Sequence, residues 1–79
     1  LLVSVYPNPA NSYLNLHINE FDITQLSFQI FDMQGKLLKS EKISNNLTRI
    51  DMNNFVPATY LVKIYEDTRG LKTFKVIKN

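Results

Sequence analysis

Between Tyr60 and Tyr65 the side chains alternate, with Tyr60, Val62 and Ile64 on one side and Leu61, Lys63 and Tyr65 on the other. A period of two predicts a β-strand with one buried face. Pro57 has no N–H to give to a ladder and its φ is fixed, so the strand is expected to start after it. The same alternation runs through residues 12–18, where Leu14, Leu16 and Ile18 face one way and Tyr13, Asn15 and His17 the other. It returns in residues 25–32 with Leu26, Phe28 and Ile30. Shorter apolar runs at 1–5, 36–43, 47–52 and 71–77 complete the pattern, the last two contributing Ile50, Met52, Phe74 and Val76. In residues 36–43 the apolar Leu37, Leu38 and Ile43 are interspersed with Lys39, Glu41 and Lys42, a composition suited to a sheet edge.

The segments between these runs carry turn chemistry. Tyr6-Pro7-Asn8-Pro9 cannot continue a strand, because two prolines flank a turn-favouring residue. Met33-Gln34-Gly35-Lys36 predicts a hairpin, since Gly accepts a positive φ without cost. Ser44-Asn45-Asn46, Asn53-Asn54 and Thr68-Arg69-Gly70 read as further turns. Residues 19–24 read as a loop whose Phe21 and Ile23 cover one end of the core. The result is seven short strands and no sustained helical periodicity, which predicts an all-β fold, a seven-stranded antiparallel immunoglobulin-like β-sandwich. A small closed barrel is the competing all-β arrangement. Ala58-x-Tyr60-x-Val62 also has the spacing of a tyrosine corner, in which the hydroxyl bonds back to upstream backbone.

Length and composition narrow this further. A chain of 79 residues allows one domain, able to bury only about 60% of its unfolded surface. There is no Cys, so neither disulfides nor thiolate metal sites supplement the core. The net charge of +2 is too weak a bias to imply nucleic acid. That charge is uneven, for residues 60–79 hold Lys63, Arg69, Lys72, Lys75 and Lys78 against Glu66 and Asp67. No apolar run approaches the roughly 18 residues of a membrane span, and no charged-then-apolar leader is present. Because the chain opens with Leu1 rather than Met, it is expected to be one domain, 1–79, cut from a longer precursor.

Groups able to do chemistry are few. His17, the only histidine, falls on a polar strand face, which suits a solvated side chain better than a base or a ligand. Asp22, Asp32, Asp51, Glu66 and Asp67 sit mostly at strand ends, where carboxylates shape turns, and their spacing resembles no calcium loop. Gly35 and Gly70 are assigned to hairpins, leaving no phosphate-cradling loop. Asn46-Leu47-Thr48 matches the N-glycosylation pattern, a short motif with a high chance rate. Tyr60, Tyr65 and Phe74 interleave with Lys63, Lys72, Lys75 and Lys78, which reads as core aromatics and wet-face lysines rather than a nucleic-acid platform. No nucleophile, base and orienting group come together, so the expectation is a domain without catalytic, cofactor or metal residues.

Tyr6-Pro7-Asn8-Pro9, then Phe31-Asp32-Met33-Gln34-Gly35-Lys36-Leu37, then the strand from Tyr60, then Lys75-Val76-Ile77-Lys78 resemble, in this order, the type A C-terminal sorting domain of the type IX (Por) secretion system of Bacteroidetes. The resemblance covers almost the whole chain. It implies a folded tag that is exported to the periplasm, met by translocon and shuttle proteins, and taken across the outer membrane to the cell surface or beyond. It also implies cutting from the cargo by a sortase-like surface protease, which joins the cargo to a lipopolysaccharide anchor. Tyr6, Pro7, Asn8, Pro9, Gly35, Lys36 and Tyr60 match the family's structural motifs, with Pro7, Pro9 and Gly35 expected to shape turns. Lys72, Lys75, Val76, Ile77 and Lys78 are the expected contacts with the machinery. One departure is Ala58, where the family usually has Gly; if that position needs a positive φ, Ala58 is strained by roughly 1 kcal/mol or more.

A last strand at a sheet edge would offer unpaired backbone to an added strand, with its lysines selecting an acidic surface. Edge lysines also oppose self-association, and that is their alternative role. The alternative function is an adhesion or carbohydrate-binding module of a secreted enzyme, with Tyr13 and Tyr65 as its exposed aromatics.

Overall fold

The computed structural model describes residues 2–19 and 22–79. Seven strands follow one another: β1 (Leu2–Tyr6), β2 (Tyr13–Asn19), β3 (Leu26–Asp32), β4 (Leu37–Lys42), β5 (Leu47–Asp51), β6 (Ala58–Glu66) and β7 (Arg69–Lys78). They form two antiparallel sheets, β1-β2-β5 and β4-β3-β6-β7. The expected sandwich is therefore present. The two sheets remain separate, so the closed barrel is not formed. Immunoglobulin constant domains put four strands in the first sheet; here β4 joins β3 instead, making the second sheet the broader one.

The alternation read from the sequence is the inside and outside of this sandwich. Leu14, Leu16 and Ile18 from β2 meet Leu26, Phe28 and Ile30 from β3 and Tyr60, Val62 and Ile64 from β6, all buried. Ile50, Met52, Ile43 and Val76 complete the core, with Phe55, Phe74, Leu71 and Ile23 packed on its rim. Among the described residues no polar side chain is buried. Hydrophobic burial and the ladders thus carry the fold, each fully buried large apolar side chain contributing about 1.5–3 kcal/mol before chain entropy is subtracted. Ile23 takes its expected place, whereas Leu1 and Phe21 lie outside the described residues.

The two inner strands of the broad sheet are β3 and β6. β6 pairs with β3 from Leu26↔Glu66 to Asp32↔Tyr60, and with β7 from Ala58↔Lys78 to Glu66↔Arg69. It starts at Ala58, directly after Pro57. Ala58 is a strand residue without a positive φ, so the strain considered for it does not arise.

The last hairpin differs from expectation. Its turn is Asp67-Thr68, and Arg69 and Gly70 already belong to β7. Asp67, with φ 53°, adopts the left-handed conformation, while Gly70 has no positive φ. Asp tolerates that conformation because its short side chain bonds locally. The extra residue, Leu71, is accommodated by a register shift beside Tyr65, and it turns its side chain to the core. Gly35, by contrast, has φ 91° and performs its expected turn duty.

Candidate functional site: the joint between the opening turn and the last strand

The chain leaves β1 at Tyr6 and is turned by Pro7 and Pro9, both preceded by cis peptide bonds. Between them Asn8 is held against β7. Its Nδ2 donates to the Lys75 carbonyl at 3.0 Å, and its Oδ1 accepts from the Ile77 amide at 2.9 Å. Ala10, 0% exposed, then pairs in parallel beside Lys78: its amide donates to the Ile77 carbonyl at 2.7 Å and its carbonyl accepts from the Asn79 amide at 2.9 Å. Asn79 adds a bond from its Nδ2 to Asn11 Oδ1 at 3.3 Å. A primary amide can donate and accept at once, so Asn is the residue type that copies one rung of a strand with its side chain. Ala10 places its small methyl group in the core.

This changes the picture of the last strand. β7 is an edge strand, but its final stretch, Lys75 to Asn79, is already covered by Asn8 and Ala10. Ile77 turns its backbone groups outward, and alternation places those of Lys75 and Thr73 on the same side. Only the part of the edge around Thr73 has no segment beside it among the described residues.

The five expected contact residues do not share a surface. Val76 is 1% exposed and belongs to the core opposite Tyr60. Lys75 and Ile77 point to the outer face of the broad sheet, while Lys72 and Lys78 fall on the opposite parity, near the two ends of β7. Lys78 is half-buried, and its Nζ donates to the Asn79 carbonyl at 2.8 Å.

The second motif is built by Asp32. Its Oδ1 accepts from the amides of Gln34 and Lys36, each at 2.9 Å, while its backbone bonds Gly35 and Lys36 across the turn. Lys36 therefore participates through its backbone, and its side chain is exposed. Asp51 and Asp22 do the same for Asn53 and Thr24, so three carboxylates expected at strand ends are turn holders. The Thr24 amide and then its hydroxyl stabilise the ionised Asp22 and hold its pKa below the ordinary carboxylate value, against a small opposing effect of desolvation.

The third motif is the tyrosine corner. Tyr60 Oη donates to the Val56 carbonyl at 2.5 Å, and Phe55 packs edge-on against the ring with centroids 5.2 Å apart. Beside it, the β3–β4 turn and the loop before β6 enclose an open apolar groove of about 700 Å³, lined by Met33, Leu38, Phe55, Val56 and Thr59.

Other candidate chemistry resolves locally. Asn46, of the glycosylation motif, donates from Nδ2 to the Ile18 carbonyl at 3.1 Å and is a structural bridge. Tyr13 stacks under the Arg49 guanidinium at 4.1 Å and Tyr65 is half-buried, so neither presents a bare ring to a sugar. His17 is half-buried opposite Ser4 and Leu47. Among the described residues no three His, Cys, Asp or Glu side chains gather as metal ligands.

The sequence assigns Asn8 no more than a turn role and gives Ala10 none, whereas Asp32 takes its expected place among the turn-shaping carboxylates. An Asn between prolines and an Asp three residues before Gly are visible as turn residues, but nothing in a single sequence tells which distant strand Asn8 and Ala10 meet. A comparison with curated proteins finds no match. The family model described as a secretion system C-terminal sorting domain matches residues 4–79, a span that includes both halves of the Asn8 joint, the Asp32 turn and the Tyr60 corner. The chain is therefore a member of the type IX secretion system C-terminal sorting domain family of Bacteroidetes, domains that direct export toward the outer membrane and the cell surface.

Proposed function

We propose that the domain acts as a folded address that the type IX translocon and its shuttle proteins recognise after the cargo has reached the periplasm. The cargo then crosses the outer membrane, and a sortase-like surface protease separates it from the domain. The observation that supports this reading is the joint itself: the Tyr-Pro-Asn-Pro motif and the Lys75–Lys78 tail, 67 to 69 residues apart, form one hydrogen-bonded structure. In this reading Lys72, Lys75, Ile77 and Lys78 meet the machinery, and Val76 anchors their strand from inside. Family membership is with sorting signals and not with enzymes, so the reading assigns no reaction to the domain.

A fluorescent reporter carrying residues 1–79 tests this in a type IX-competent strain and in one lacking the translocon. Surface or medium fluorescence in the first and periplasmic fluorescence in the second is expected. Equal export from both strains refutes the reading. Deleting β7 is a poor control, because it removes Val76 from the core and half the joint. Reversing Lys72, Lys75 and Lys78 to Glu keeps the core residues and is expected to leave the reporter in the periplasm with an unchanged far-ultraviolet spectrum.

A further inference from the structure

The outer face of the broad sheet has a composition that packing does not require. Cross-strand register sets Leu37, Phe31, Leu61 and Lys75 in one row across all four strands. Thr59 and Ile77 lie beside that row on one side, and Ser40, Gln29, Lys63 and Thr73 form the next row on the other. Lys42, Ser27, Tyr65 and Gly70 follow. Leu37 is 47% and Ile77 46% exposed, Phe31 and Leu61 are half-buried, and the Lys63 ammonium stands over the Phe31 ring at 5.0 Å. This face thus has an apolar centre with Lys42, Lys63 and Lys75 around it and no carboxylate in its rows.

Of the six acids among the described residues, five are engaged elsewhere. Asp22, Asp32 and Asp51 hold turn amides, Glu41 pairs with Lys39, and Glu66 pairs with Arg69. The outer face of the other sheet, by contrast, carries Asp51 beside Arg49, together with Tyr13, Asn15 and His17.

We infer that this lysine-ringed face is a docking surface for a protein segment that carries acidic side chains around apolar ones. Charge decides the occupant. Two copies face to face would oppose three lysines with three lysines, at a cost that complementary surfaces avoid. Polybasic membrane contacts use clusters of about four to eight Lys or Arg, and this face carries three, Lys42, Lys63 and Lys75. A nucleic-acid platform would place several aromatic faces in the open, whereas Phe31 is under Lys63. Four strands about 4.8 Å apart and up to ten residues long give a face of several hundred Å², comparable with the ~800 Å² that one partner contributes to a standard interface.

The probe is a soluble peptide alternating Asp with Leu and Phe, titrated into the labelled chain by nuclear magnetic resonance. Shifts centred on the amides of Phe31, Leu37, Leu61 and Ile77, with affinity falling about tenfold between low and physiological salt, are expected. The same peptide with Lys for Asp is expected not to bind. Equal binding of the Lys peptide, tighter binding to phosphatidylglycerol vesicles, or shifts confined to the Thr73 edge or to the groove beside Tyr60 overturns the inference, as does no binding at all. As an export determinant the face rests on the sorting-signal reading. In the reporter assay Leu37→Asp/Lys63→Glu/Lys75→Glu is expected to abolish export with the fold intact, while Leu47→Asp, on the other sheet, exports normally. Normal export of the triple variant overturns the face and spares the sorting signal. If even the unmodified tag is not exported, the sorting reading fails and the peptide titration still judges the face.

Discussion

Replacing Asn8 by Ala removes both side-chain bonds to β7, those to the Lys75 carbonyl and from the Ile77 amide. Both are near solvent, so water recovers part of each, and the net loss is about 0.5–1 kcal/mol per bond, or about 1–2 kcal/mol together. In a domain of this size each kcal/mol moves Tm by roughly 4–8 °C, so a fall of about 4–16 °C is expected by circular dichroism. Asn8→Asp is the sharper variant. It keeps an acceptor for Ile77 but turns a carboxylate oxygen toward the Lys75 carbonyl, so at neutral pH it is expected to be no more stable than Asn8→Ala. Amide hydrogen exchange separates a local effect from a general one: protection at Ile77 should drop well below the global loss, because its acceptor is gone. Unchanged exchange at Ile77 in Asn8→Ala, or full stability in Asn8→Asp, would refute the assignment of Asn8 as a substitute rung.

Tyr60→Phe deletes the hydroxyl of the corner and is expected to lower stability by about 1 kcal/mol, read as a shifted urea midpoint with unchanged slope. Gly35→Ala is expected to cost about 1 kcal/mol or more, since φ 91° suits only Gly and nothing crowds the added methyl. Gly70→Ala should stay within about 0.5 kcal/mol, its new methyl meeting only the Tyr65 ring at 3.8 Å; a large loss in thermal melts would contradict the register at that bulge. Asp22 should titrate below the ordinary carboxylate value by nuclear magnetic resonance. Because its folded pKa is lowered, it adds stability above the ordinary carboxylate value and loses it as pH falls through the folded one. In Asp22→Asn that part of the acid dependence should be missing.

The sandwich was legible because its core residues alternate without exception in β2, β3 and β6, and burial of one face leaves a strand only one register. Turn identity was legible where the backbone demanded it, as at Gly35, and misread where it did not. Gly70 follows a turn that Asp67 makes, and no local rule ranks Asp in the left-handed region above a nearby Gly. The joint was half legible. Its two motifs carried the family resemblance, yet their contact depends on β1 and β7 ending at the same corner of different sheets, which is decided by the whole topology. The lysine-ringed face was likewise invisible in the chain, since Leu37, Phe31, Leu61 and Lys75 become neighbours only through register.

Ala10 and Asn8 bond to the stretch of β7 that pairs with β6 and sends Val76 into the core. Contacts of such long sequence separation must overcome the loop-closure entropy of nearly the whole chain. A receptor that grips this corner of the molecule therefore inspects the finished article: a chain still emerging, clipped short of Asn79 or trapped in a misfolded state would carry the same letters and present no legible destination.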